Sequence, residues 1–233
     1  MTFNYFIMYV LGRFYKIFLK IWYRGKIEFI GNGVFLGKII CKGSSVKIYN
    51  DSGFVVFSKF VFIGNNITIN FINNARVKKC SFIFKANNCS LSVEGSRNIT
   101  NTIFEVLDND CSIIVGENTG LNTNRILVAG KSNYIKIGKE CVFAENAEVW
   151  ASDTHSILDL KTNRRINLDK PIIIGDYVWI GNRALILKGS EIGNNSIIGA
   201  NSTVTDKFKK NVLLAGTPAK EIKEGVYWDI NRL

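Results

Sequence analysis

The sequence predicts an all-β fold in which short parallel strands wind into a triangular solenoid. Aliphatic residues recur every six positions through Ile174, Ile180, Ile186, Ile192, Ile198 and Val204. Small residues follow most of them, at Gly175, Gly181, Gly193, Gly199 and Thr205, and again four positions on, at Val178, Ala184, Ser190, Ser196 and Ser202. The composition agrees: 20 Gly, only 2 Pro and abundant Ile, Val and Asn suit short strands with sharp bends, because Gly and Asn tolerate φ > 0.

A period of six matches neither the 3.6 of a helix nor the two of a strand. It describes one inward aliphatic side chain per short strand, then a turn. Three such strands close one coil, and coils stack about 4.8 Å apart. A single coil cannot bury its own apolar edge, so the coils must stack. Upstream, Ile137-Gly138, Phe143-Ala144 and Val149 keep the six-residue step, and Val115-Gly116, Leu121 and Leu127 keep it in another phase. Ile63-Gly64-Asn65-Asn66 reads as a further coil. Between residues 33 and 112 the pattern blurs into alternating runs such as Val46-Lys47-Ile48 and Phe82-Ile83-Phe84. This stretch reads as the same solenoid with uneven coils; a separate N-terminal β-domain is the alternative.

Residues 1–28 are expected to form a short N-terminal helix or cap, 29–223 the solenoid and 224–233 a tail. The uncharged run from Met1 stops at Arg13, too short to span a bilayer, and no signal-peptide cleavage site follows it. Arg13, Lys16, Lys20 and Arg24 fall on one helical face. Two compatible readings stay open: a helix in the cytoplasmic membrane interface, or a cap on the solenoid's open end. The expected location is the cytoplasm, at the membrane if the first holds.

The 233-residue chain carries a net charge of +11, which attracts anionic partners without choosing among them. No aromatic RNA-binding strand, zinc-finger spacing or DNA-reading helix is present, so nucleic acid is not an expected partner. Acidic polysaccharide, a phosphate-bearing cofactor and membrane rank ahead of it. The five cysteines are odd in number and form no Cys-x-x-Cys. They read as small core residues in a reducing compartment rather than as a disulfide or zinc framework.

His155 is the only histidine, so a three-histidine zinc site is excluded and no metal is expected. It continues the phase of Ile137, Phe143 and Val149, and by phase alone it reads equally well as an inward core residue. The step from His155 to Ile174 is 19 residues, three hexads plus one. A loop near residues 156–172 must therefore leave the solenoid, and protruding loops commonly carry function. Asp153, two residues earlier, would share a strand face with His155. It could orient the imidazole or satisfy a turn amide. Lys161, Arg164 and Arg165 lie in the loop, where they either meet an anionic sugar or are solvated.

Four further motifs stand in order: Asp153-Thr154-His155-Ser156-Ile157, Tyr177-Val178-Trp179-Ile180-Gly181, Ile198-Gly199-Ala200-Asn201-Ser202-Thr203-Val204-Thr205 and Ala215-Gly216-Thr217-Pro218-Ala219-Lys220. Together they resemble the hexapeptide-repeat acyltransferases, whose fold is a left-handed parallel β-helix. The 24 residues between His155 and Trp179 match the spacing expected there. Within the family, His155-Ser156-Ile157-Leu158-Asp159, Asn163-Arg164-Arg165-Ile166-Asn167 and Gly225-Val226-Tyr227-Trp228 are most similar to O-acetyltransferases of bacterial capsular and O-antigen polysaccharides, including polysialic acid. The resemblance implies a homotrimer that uses acetyl-CoA, with His155 as general base, since an imidazole can take a hydroxyl proton near neutral pH. It implies Trp179 as a wall for the pantetheine or acetyl group. Asn182, Ala200, Thr205, Lys220 and Lys223 fall on CoA-contacting positions. Asp206 stands where the family often has lysine, with Lys207 as a substitute. An N-acetyltransferase of amino-sugar nucleotides and a non-catalytic assembly solenoid are the rival readings.

Overall fold

In the computed structural model the described residues are Gly12, Tyr15, Tyr23, 25–95 and 97–231. The helix expected over residues 1–28 lies mainly outside them. Tyr15 and Tyr23 donate hydrogen bonds to the carbonyls of Gly37 and Ile39, which holds both against the first strand of one solenoid face.

Each coil visits three faces in a fixed order. In the coil after the loop, Ile172–Ile174 lies on face 1, Trp179–Ile180 on face 2 and Leu185–Leu187 on face 3. Face 1 is continuous through nine parallel strands, from Ile27–Ile30 to Lys207–Phe208. The chain before residue 112 is therefore part of the same solenoid, and a separate N-terminal β-domain is not what forms. In the first two coils, Val34–Cys41 and Phe54–Phe62 run unbroken from face 2 onto face 3. The ladder slips there between Leu36 and Gly37, and Phe57 turns the corner at φ 54°. The solenoid ends on face 2 with an antiparallel pair, Val212–Gly216 and Ala219–Glu224.

Coil length explains why the six-residue phase fades upstream. Ile173 and Glu191 are register partners 18 residues apart, three hexads. Thr68, Ser90, Ser112 and Tyr134 are successive partners with 22 residues per coil. The four extra residues lengthen strands and corners while the stacking stays in register. Columns therefore repeat at 22. Phe82 stacks between Phe60 and Phe104 with ring centroids 4.7 and 5.2 Å away, and all three are fully buried. On the corner between faces 3 and 1, Asn66, Asn88, Asp110 and Ser132 all adopt φ between 53° and 63°, a conformation Asn and Asp accept at low cost. Beside them the Asn87 carboxamide oxygen accepts from the Asn65 amide and that of Asn109 from the Asn87 amide, each at 2.8 Å.

The inward residues named from the hexads, Ile174 through Val204, are buried, as are Val178, Ala184, Ser190, Ser196 and Ser202. The serine hydroxyls stay satisfied inside; Ser190 Oγ has the Leu187 and Val204 carbonyl oxygens at 2.7 and 3.0 Å as alternative acceptors for its one proton. Cys80, Cys89, Cys111 and Cys141 are buried and unpaired. Burial pushes the thiols of Cys80, Cys111 and Cys141 up to about 11.

Candidate active site

The loop leaves the corner between faces 3 and 1. Ile135 on face 1 pairs with Ile172, 37 residues on, so the chain spends many extra residues outside the prism here. Ala151 and Ser152 are still buried; Asp153, Thr154, His155 and Ser156 are exposed. His155 is thus the third residue beyond the core and not an inward one. Its corner is occupied by a hairpin: Leu158 and Arg165 form an antiparallel bridge, and the Ile166 amide donates to the Ile157 carbonyl at 2.9 Å. Asp159 closes the tip, its carboxylate accepting from the Thr162 amide and hydroxyl, both at 2.7 Å, and from the Lys161 amide.

One residue ties this hairpin to the histidine. The Asn167 carboxamide donates to the His155 carbonyl at 2.8 Å and to the Asp153 carboxylate at 2.7 Å. Its oxygen accepts from the Ile157 amide at 2.7 Å and from Arg165 Nε at 3.3 Å. Lys188 then clamps the assembly from face 3, donating to Asp153 Oδ2 at 2.5 Å and to the Asn167 carbonyl at 2.9 Å. Partial burial disfavours the Asp153 charge, but the bonds from Lys188 and Asn167 and the charges of Lys188 and Arg165 hold its carboxyl below the usual range. Asp153 thereby fastens the loop to face 3. Arg165 pairs with Asp169 at 2.9 Å. Lys161 and Arg164 remain exposed at the loop's tip.

Trp179 stands on face 2, between Val142 and Ile197 of the neighbouring coils, and is 43% exposed. Trp228 of the C-terminal segment packs at 6.3 Å from it and is anchored by a 2.7 Å bond from its indole nitrogen to the Tyr177 carbonyl. One coil earlier, a cavity of about 410 Å³ on the same face is lined by Arg97, Asn98, Asn122 and Val142 among others.

Asn182 and Ala200 lie next to Trp179, stacked on the corner between faces 2 and 3. The Asn201 amide donates to the Asn182 carbonyl at 2.9 Å, and the Asn182 carboxamide to the Glu145 carbonyl at 2.8 Å. A side chain at Gly181 would meet the Ala200 amide at 2.6 Å, so this corner admits only close-packed backbone. Lys220 and Lys223 are exposed on the last strand of face 2. The structure thus gathers Trp179, Asn182, Ala200, Lys220 and Lys223 on one side. Thr205 sits apart, exposed past Thr203–Val204 of face 3. Lys207 beside it is paired with Glu191.

In a three-sided prism the corner between faces 3 and 1 lies opposite face 2. His155 and Thr205 therefore stand on one side of a single chain, and Trp179 with its neighbours on the other. Asn167, Lys188 and Trp228 were not singled out by sequence reasoning. Asn167 and Trp228 fall inside the quoted motifs, while no periodicity marks Lys188.

Fold and site define a hexapeptide-repeat β-helix with an inserted histidine loop. The family model for the bacterial transferase hexapeptide (six repeats) matches residues 171–206. The solved structure of the polysialic acid O-acetyltransferase OatWY superposes with a TM-score of 0.77 at 29% identity, over 85% of this chain and 93% of that one. The polySia-specific acetyltransferase NeuO gives 0.66 at 27% identity, over 88% and 90%. In sequence, the polysialic acid O-acetyltransferase of Escherichia coli O1:K1 / APEC is 35% identical over 115 residues, 49% of this chain and 37% of the relative. The chain spans about half or less of the length of the curated relatives it matches. Through residues 171–206 and through these two solved structures, the chain is similar to hexapeptide-repeat acetyltransferases built on a left-handed β-helix.

Proposed function

We propose that this protein is an O-acetyltransferase that moves acetyl from acetyl-CoA to a sugar hydroxyl of a bacterial surface polysaccharide of acidic, sialic-acid type. The observation that supports it most is an exposed histidine on an anchored loop, in a prism similar over nearly its whole length to two polysialic acid O-acetyltransferases. Acetyl-CoA supplies the activated acetyl group. His155 accepts the proton of the acceptor hydroxyl as that oxygen attacks the thioester carbonyl; the C–S bond then breaks and the imidazolium returns the proton to the departing CoA thiolate. Asn167 and Lys188 hold the backbone at His155 in place, and such fixing of the reacting geometry is a large part of catalysis. Trp179 offers a flat apolar wall, and Lys220 and Lys223 meet phosphates as point charges.

Because His155 and Trp179 face opposite ways in one chain, a complete site needs two copies, and a homotrimer closes three such sites. In this reading Lys161, Arg164 and Arg165 of the loop meet carboxylates of the acceptor, Arg165 while also paired with Asp169. Capsule or lipopolysaccharide sugars, and the cytoplasmic face of the membrane as the place of work, complete the reading.

The test is a panel of acceptors with radiolabelled acetyl-CoA: polysialic acid, neutral polysaccharides and amino-sugar nucleotides. Label is expected on the acidic polymer, as an ester released by mild base. Label on a nucleotide amino sugar as a base-stable amide would replace this reading with the N-acetyltransferase one.

A further inference from the structure

The net positive charge of this protein resides at one end of its sequence. Residues 1–85 hold 13 Lys and Arg against two acidic residues, Glu28 and Asp51, whereas residues 86–233 hold 17 of each sign. The loop, Trp179 and the last strands all belong to the balanced part. The excess therefore does not serve that site directly.

On face 3 this charge is arranged with apolar side chains. Phe60, Phe62, Phe82 and Phe84 point inward and are fully buried, so the alternate residues point out. Register pairs Lys38 with Lys59 and Lys59 with Ser81, and pairs Ile40 with Val61 and Val61 with Ile83. The ladder continues past the strand ends, where the Lys42 amide donates to Phe62 and the Ile63 amide to Phe84. Lys42, Ile63 and Lys85 thus form a third column. The first three rungs read Lys-Ile-Lys, Lys-Val-Ile and Ser-Ile-Lys, a central aliphatic stripe with lysines along both edges. Phe57, 62% exposed, and Lys79 stand at the adjoining corner. Glu105, on the fourth rung, is the first acidic residue of this face.

We infer that these three rungs of face 3 dock the protein on an anionic lipid surface. Lysines whose alkyl stems lie along apolar surface can place their ammonium groups at headgroup level while Phe57, Ile40 and Ile63 enter the interface. Each lysine near an anionic membrane adds to the attraction. A second copy is the poorer occupant, because pairing this patch with itself stacks lysine on lysine. A hydrated sugar polymer has no use for the aliphatic stripe. Tyr15 and Tyr23 are hydrogen-bonded along Val34–Cys41 at the same edge, and the sequence of residues 1–24 contains no acidic residue. Docking there leaves the loop and face 2 near the opposite end free.

The experiment is co-sedimentation of the full chain with vesicles of phosphatidylcholine alone or of 70:30 phosphatidylcholine and phosphatidylglycerol. Binding is expected only to the anionic vesicles and should weaken with salt. The Lys38→Gln/Lys59→Gln/Lys85→Gln variant should bind at least tenfold more weakly. Phe57→Asn, which keeps the left-handed corner, should lose several-fold. Lys131→Gln/Lys136→Gln/Lys139→Gln, with the same loss of charge, should bind like wild type. Thermal melting confirms that each variant is folded. Equal binding to both vesicle types, or unchanged binding by the face variant, would overturn the proposal, the second assigning the binding to residues 1–24. Binding to polysialic acid without lipid binding would overturn it too. So would a changed sedimentation coefficient of the face variant without lipid, which would make the face a contact between copies.

Discussion

Replacing Asn167 by alanine should release the loop from the prism without unfolding the solenoid. The side chain makes four hydrogen bonds: to Asp153, to the His155 carbonyl, from the Ile157 amide and from Arg165. A neutral bond contributes about 0.5–1.5 kcal/mol net, and one to a charged group more. Asn167 is only partly buried, so water replaces part of each bond. A loss of about 2–3 kcal/mol in local opening free energy follows, an increase of about 30- to 140-fold in the open population. Hydrogen exchange reads this directly at the Ile157 amide, which loses its acceptor, and at the Ile166 amide across the hairpin. Amides of the Ile135 and Ile172 strands should be unaffected. Unchanged exchange at Ile157 would refute the reasoning, since it would mean the hairpin holds itself.

Phe82→Ala removes a fully buried ring stacked on two others and should cost about 3–5 kcal/mol, measured as a lowered urea midpoint. The buried thiols raised to about 11 at Cys80, Cys111 and Cys141 should resist alkylation at pH 8 in the native protein and react once it is denatured. Mass spectrometry counts the adducts. Acid should undo the loop clamp before it undoes the coils. The Asp153 carboxyl is held below its ordinary value, so its contribution is complete above the unfolded value of about 3.9 and disappears as pH falls through the lower, folded one. Proteolysis within residues 156–168 by an acid-active protease should rise in that window, whereas a rise already at pH 6 would contradict the clamp.

The hexads from Ile174 to Val204 were legible because 18-residue coils keep one inward residue per strand at a constant step. The earlier coils were legible only as strands. Their period of 22 is not a multiple of six, although Phe60, Phe82 and Phe104, or Asn65, Asn87 and Asn109, mark it in the bare sequence. The exit of the chain at His155 was readable as a break in phase. What fastens the loop was not. Asn167 and Lys188 act through backbone carbonyls and one carboxylate, and such contacts leave no periodic trace. The ion pair of Arg165 with Asp169, four residues on, was not foreseen either.

The most direct test of the central claim compares wild type and His155→Ala for acetyl transfer from acetyl-CoA to polysialic acid, with matched melting temperatures. Imidazole-dependent proton transfer contributes about 10²–10⁴-fold. The variant should fall by that factor in kcat, with little change in acetyl-CoA binding. Transfer at the wild-type rate by His155→Ala, or no transfer by the folded wild type to any sugar acceptor, would contradict the account.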